Sequence, residues 1–177
     1  MAKKRKKSTL GLVFSAGAVL FAIAAVCMMF LNAVELVSGD TVLKEFTGTQ
    51  VAFGYSETYP LIGEVKFLNF SIMNLLPYIL ALAGAVVAIL AALSKKSFLL
   101  NIIAVACFVA AAVFFFTAAS YVSVAGSEGS GTLNALVKKT VDALKDGDNL
   151  KIAIGSILGG AFSIVAAACS ALKIFVK

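Results

Sequence analysis

Residues 1–36 read MAKKRKKSTLGLVFSAGAVLFAIAAVCMMFLNAVEL, and this stretch decides what kind of chain this is. The basic cluster Lys3, Lys4, Arg5, Lys6 and Lys7 stands directly before an apolar run from Leu10 to Leu36, and nothing between Ser8 and Asn32 is charged. At a rise of about 1.5 Å per residue, such a run crosses a hydrocarbon core of about 30 Å. Lys and Arg beside a membrane end hold that end in the cytoplasm, so the N-terminus is expected inside. A secretory signal peptide has an apolar region of only about 7–15 residues. The run here is longer, and Val26 is a poor residue before a lipoprotein-type cut at Cys27. The expectation is an uncleaved signal anchor.

Composition agrees. Hydrophobic residues make up 61% of the chain and charged residues 14%, where a soluble domain carries about 25% charged residues. The net charge of +6 would suit a nucleic-acid partner, but nine of the fifteen basic residues lie in short segments flanking apolar runs. That placement marks topology determinants, so the expected partner is the lipid bilayer and not nucleic acid.

Four runs are long enough to span, at about 10–36, 72–93, 98–122 and 152–176, and they form one tetraspan domain over residues 1–177. Pro77 falls in the first turns of the second run, where a missing N–H costs least. Only Ser94, Lys95, Lys96 and Ser97 separate the second and third runs, which reads as a tight antiparallel helical hairpin. With the N-terminus inside, the inner segments hold Lys3 to Lys7, Lys95, Lys96, Lys173 and Lys177 and no acid. Every Asp and Glu belongs to the two outer loops, about 37–71 and 123–151, with Glu35 counted to the first. Tyr55, Tyr59, Tyr78 and Tyr121 also fall in outer loops or near outer helix ends, Tyr78 and Tyr121 as interfacial anchors. The topology is N-in and C-in, in a multi-pass protein of the plasma membrane.

The first outer loop is too long for a bare connector. Thr49, Val51, Phe53 and Tyr55 alternate with Gln50, Ala52 and Gly54, a strand pattern. Val42 to Phe46 is its expected partner across a Thr47-Gly48 turn, and Glu64 to Phe70 reads as a third strand. Three strands make a small antiparallel sheet more stable than an isolated hairpin. In the second loop a Gly/Ser stretch (Gly126 to Gly131) precedes Leu133, Leu136, Val137, Val141 and Leu144, which recur at helical spacing. This is a short amphipathic helix stopped at Gly147.

The chemistry-bearing residues argue against an enzyme. The chain has no His, so it has no Ser–His or Cys–His couple and no His-based metal site. Cys27, Cys107 and Cys169 all lie in apolar runs, which leaves no loop disulfide and no Cys-based metal site. No phosphate-cradling Gly-rich motif is present. No catalytic residue, cofactor or metal is therefore assigned. Proton or ion coupling is disfavoured as well, because the span centres hold no ionisable residue and Asn32 and Asn101 lie near span ends.

Small residues stand at packing spacing. Gly155 and Gly159 form GxxxG, overlapped by Gly160, and serve either packing within the bundle or a contact between protomers. Ser156, Ser163 and Ser170 are seven apart and drift by only about 20° per step, so they share one helical stripe. Asn69-Phe70-Ser71 matches the N-glycosylation pattern but abuts the second span.

The plan of an N-in chain with a long first outer loop bearing a small sheet, a short inner hairpin, a shorter second outer loop and an inside C-terminus resembles that of claudin-like tetraspan proteins. The Trp-containing, Cys-Cys loop signature of claudins is absent, since the chain has no Trp and no loop Cys. The stretch Phe46-Thr47-Gly48-Thr49-Gln50-Val51-Ala52-Phe53-Gly54 is similar to one in uncharacterised small four-helix membrane proteins of Gram-positive bacteria. These readings give an all-α membrane fold: a four-transmembrane-helix bundle with a small extracellular antiparallel sheet and a short amphipathic helix. Its expected role is non-enzymatic. The extracellular cap is expected to contact another membrane protein, a second copy of itself or an envelope component through Phe46, Phe53, Tyr55, Tyr59 and Phe67. The alternative is a small oligomeric channel or transporter lined by the serine stripe of the fourth helix.

Overall fold

Among the described residues of the computed structural model, four helices are long and apolar enough to cross a membrane: Leu10–Phe30, Ile72–Leu93, Phe98–Phe116 and Ile154–Phe175. The structure describes residues 9–38, 41–60, 63–94, 97–125 and 149–175. The basic cluster Lys3 to Lys7, the turn lysines Lys95 and Lys96, Lys177, the Gly/Ser stretch and the amphipathic helix expected over residues 133–144 lie outside the described residues. In chain order the elements are α1 (Thr9–Cys27), a 3-10 turn (Met28–Phe30), β1 (Asn32–Ser38), β2 (Thr41–Thr47), α2 (Gly48–Phe53), β3 (Tyr55–Tyr59), β4 (Gly63–Leu68), α3 (Ile72–Leu93), α4 (Ser97–Phe116), a second 3-10 turn (Ala118–Tyr121), β5 (Leu150–Ile152) and α5 (Ile154–Phe175).

Several boundaries correct the sequence reading. The first apolar run is not helical to Leu36: Leu31 is extended (φ −93°, ψ 164°), and the chain enters β1 at Asn32. Ala33, Val34 and Leu36 are apolar because they are buried in a protein core, not because lipid surrounds them. The third run leaves the helix after Phe116, where Thr117 turns to φ −106° and a 3-10 turn follows. The fourth begins at Ile154, because Ile152 is held in β5 opposite Val34.

The expected strand over Thr49 to Tyr55 is instead the short helix α2. A reciprocal cap wins there over the alternating pattern. Gln50 N donates to Thr47 Oγ1 (3.3 Å), and Thr47 N donates to Gln50 Oε1 (2.9 Å), which satisfies two backbone donors at the helix start. Thr47-Gly48 is therefore a helix start and not a hairpin turn, and β2 pairs with β1 instead. Tyr55 opens β3, which pairs with β4, and β4 is the expected third strand ending at Leu68.

Gly54 ends α2 at φ 93° and ψ 161°, a region that residues with a Cβ rarely enter. A Cβ there would also lie 2.9 Å from Leu68 O. Gly54→Ala is expected to destabilise the protein by at least about 1–3 kcal/mol, the usual cost of such backbone strain. A lower thermal midpoint in detergent checks this; an unchanged midpoint would refute the assignment of strain.

The chain divides into two compact units. One comprises Met1–Val26, Pro77–Val113 and Gly159–Lys177. It is helical, and its interior is built of alanines at three- and four-residue spacing, among them Ala18, Ala22 and Ala25 of α1 and Ala81, Ala85 and Ala88 of α3. Small side chains let helix backbones approach closely where no hydrophobic force separates protein from lipid. The buried ring of Phe108 fills the space over Gly84, where a Cβ would come within 2.6 Å of its Cε1. Tyr78 is buried in this unit, so it is not the interfacial anchor its position suggested.

The other unit comprises Cys27–Leu76 and Phe114–Leu158. Here β1 is the centre of an antiparallel sheet of order β2-β1-β5, while β3 and β4 form a separate antiparallel hairpin. The hairpin is tied to the segment after α4 by Asn69 N to Ser123 O (2.8 Å) and Ala125 N to Phe67 O (3.0 Å). Ala33, Val34, Leu36, Phe46, Val51, Phe67, Leu68 and Ala118 make one buried core. The described strands thus number five, in two sheets, against the three expected.

Candidate functional site

The aromatic residues assigned to partner binding separate into two groups. Phe46 and Phe67 are buried in the core of the sheet-bearing unit, and Tyr55 packs between them. Its ring meets Phe46 edge-on at 6.0 Å and stacks on Phe67 at 6.1 Å. Lys44 closes this stack. Its Nζ lies 4.3 Å from the Phe67 centroid and 5.0 Å from that of Tyr55, and it donates to Glu57 Oε2 at 2.5 Å. A cation over an aromatic face, fixed by a carboxylate, seals an apolar core at its rim. Phe46, Tyr55 and Phe67 are therefore architectural.

Phe53 is different. It is 57% exposed at the end of α2 and contacts only partly covered company, the ring of Phe70 (54% exposed) at 6.5 Å. Tyr59 ends β3, and its side chain lies outside the described residues.

A surface that the aromatic reading did not anticipate lies on β2. In β1 and β2, Ser38 stands opposite Thr41, with Gly39 and Asp40 between them in sequence. Val42 (46% exposed) and Leu43 (53% exposed) follow on the strand. Among the described residues β2 is an edge strand, paired to β1 alone in its sheet. The signal was present as Gly-Asp between two apolar segments, a two-residue hairpin pattern, but it was hidden once residues up to Leu36 were read as a span.

Polar residues cross the same sheet in a row. Glu35 of β1 stands opposite Glu45 on one side and Lys151 of β5 on the other. The Asn32 side-chain amide donates to Glu45, which gives the second carboxylate a partner of its own.

Gly155 of the fourth span meets backbone. A Cβ on Gly155 would lie 2.8 Å from Asn32 O and 3.1 Å from Leu31 Cβ, so the contact is with the entry into β1. Gly159 and Gly160 are buried as well. Ser156 donates to Ala33 O (2.8 Å) and Ser163 to Gly159 O (2.8 Å), and Ser170 is buried too. Each of the three hydroxyls thus lies inside a single chain.

The glycosylation pattern is similarly occupied: Asn69 Nδ2 donates to Val124 O (3.4 Å), and Ser71 Oγ donates to Tyr121 O (2.8 Å). Cys27, Cys107 and Cys169 are free thiols. Among the described residues no three His, Cys, Asp or Glu side chains are grouped to hold a metal. Comparison with protein-family models, with curated proteins and with solved structures found no match.

Proposed function

We propose that this chain is a non-enzymatic integral membrane protein whose sheet-bearing unit, on the outer face of the plasma membrane, binds another membrane protein or a second copy of itself. The role would be that of a scaffold or accessory subunit, the part that claudin-like tetraspan proteins play. The carrying observation is the exposed Val42–Leu43 pair on β2, an edge strand among the described residues. An apolar pair beside unpaired backbone donors and acceptors is a template for strand addition or side-chain docking. The unit already has its own core of Phe46, Phe67 and their neighbours, so folding alone does not account for an apolar edge. The outward placement is supported by the nine basic residues and absence of acid in the segments at the opposite span ends, which support cytoplasmic termini by the same rule.

The test is crosslinking in cells, purification in gentle detergent and mass spectrometry of what comes down. The double variant Val42→Glu and Leu43→Glu is expected to abolish a stoichiometric companion or homo-oligomer while the purified protein keeps its thermal midpoint. Unchanged association in that variant would overturn the reading. The rival, a small oligomeric channel or transporter, predicts ion flux in liposomes; its serine stripe is engaged or buried within one chain.

A further inference from the structure

The short helix α2 is tied at both ends to the rims of two spans. At its start, Gly48 N donates to Leu31 O (3.1 Å), and Leu31 directly follows the span Leu10–Phe30. At its end, Ala52 O accepts from Ser71 N (2.9 Å), and Ser71 directly precedes the span Ile72–Leu93. The reciprocal cap at Thr47 and the glycine at 54 fix both termini of the helix, so it has little freedom to turn about these tethers.

A segment held to two span ends lies at the level where the hydrocarbon gives way to headgroups. Large apolar residues left uncovered collect at that level: Phe30, Leu31, Phe53, Phe70, Ile72 and Met73. Phe30 and Ile72 belong to the spans themselves, so the patch is continuous with surface that lipid must cover. No charged residue lies between Thr47 and Gly54, so nothing on α2 resists entry into the boundary layer. Water against Phe53 and Phe70 would cost the burial of two aromatic side chains, each among the largest apolar areas a residue can hide.

We infer that α2 is an interfacial helix that lies in the membrane boundary, with the Phe53–Phe70 pair inserted at the junction of headgroups and acyl chains. The occupant of this surface is the bilayer. Phe53 then leaves the partner-binding set and acts as a depth anchor for the unit it belongs to. This inference rests on the spans, not on the proposed protein partner.

The chain has no Trp, so a single introduced indole reports without background. Phe53→Trp and, separately, Phe70→Trp would be placed in phosphatidylcholine vesicles, with Val42→Trp as the reference. Both boundary variants are expected to lose most of their emission to phosphatidylcholine brominated high on the acyl chain. They should lose less to lipid brominated near the terminal methyl, and little to aqueous iodide. Val42→Trp should show the reverse pattern. Iodide quenching at 53 and 70 without bromolipid quenching would place the pair in water and overturn the inference. Protection from both quenchers would mean that protein covers the pair, and would overturn it equally. Phe70→Trp keeps the question open to measurement should Phe53→Trp fail to fold.

Discussion

Phe46→Ala is expected to destabilise the sheet-bearing unit by about 3–5 kcal/mol, the usual cost of emptying a buried aromatic site. Phe46 is fully buried, stands opposite Val34 in the β1–β2 register and takes the edge of Tyr55 at 6.0 Å. Its loss removes apolar burial and leaves a cavity beside the Tyr55 ring, which the fixed sheet around it fills poorly. Natural domains hold only about 5–15 kcal/mol in total, so the unit should open locally. Trypsin reads this directly, because Lys44 and Lys66 lie in its strands. Cleavage after both lysines should accelerate sharply in Phe46→Ala and much less in Phe46→Leu, while helical circular dichroism is largely kept. Cleavage at the parental rate would show that the ring does not hold the unit together.

Gly155→Leu is expected to be nearly as damaging, for a different reason. The obstacle is backbone, Asn32 O at 2.8 Å and Leu31 O at 3.1 Å, and backbone cannot rotate out of the way. Forcing a side chain into such a site costs about 1–3 kcal/mol as overpacking. The displacement also strains two bonds into Ala33 O, from Ser156 Oγ (2.8 Å) and from Ala153 N (2.9 Å), worth about 1 kcal/mol each. Gly11 offers the control, because nothing lies within 4 Å of a Cβ built there. Thermal unfolding in detergent should show a large loss for Gly155→Leu, a smaller one for Gly155→Ala and almost none for Gly11→Leu. If Gly155→Leu instead leaves the midpoint alone and changes the oligomeric state, the glycine serves a contact between protomers.

The spans were legible because length and missing charge are enough to recognise them. Their ends were not. Hydropathy cannot separate Val34 and Leu36, buried in a sheet, from Leu20 and Ile23, which are exposed on a span; both sets are simply apolar. Two overlapping signals at Thr47 to Tyr55 supported different structures. The alternation of Val51, Phe53 and Tyr55 favoured a strand, whereas the Thr-x-x-Gln spacing of Thr47 and Gln50 favoured a helix start, and the hydrogen bonds of the cap prevailed. The candidate site was only partly legible. Sequence finds aromatics in a loop but not which of them face inward, and that depends on Lys44, Glu57 and the stack they close.

The sheet order β2-β1-β5 carries a consequence for how the protein is made. Strand β1 follows the first span, and β5 immediately precedes the last, with Ala33 and Ser156 joined across 123 residues of chain. During synthesis the early strand therefore waits, with β2 as its neighbour among the described residues, until the 123 residues that separate Ala33 from Ser156 have been translated. In that interval its second edge is open, and nascent chains with unpaired edges are prone to wrong pairing. A ribosome stalled before residue 150 would expose a hairpin without its closing strand. Insertion of the fourth span is thus also the step that completes the sheet and closes the second edge of β1, while among the described residues β2 keeps an edge in the finished protein.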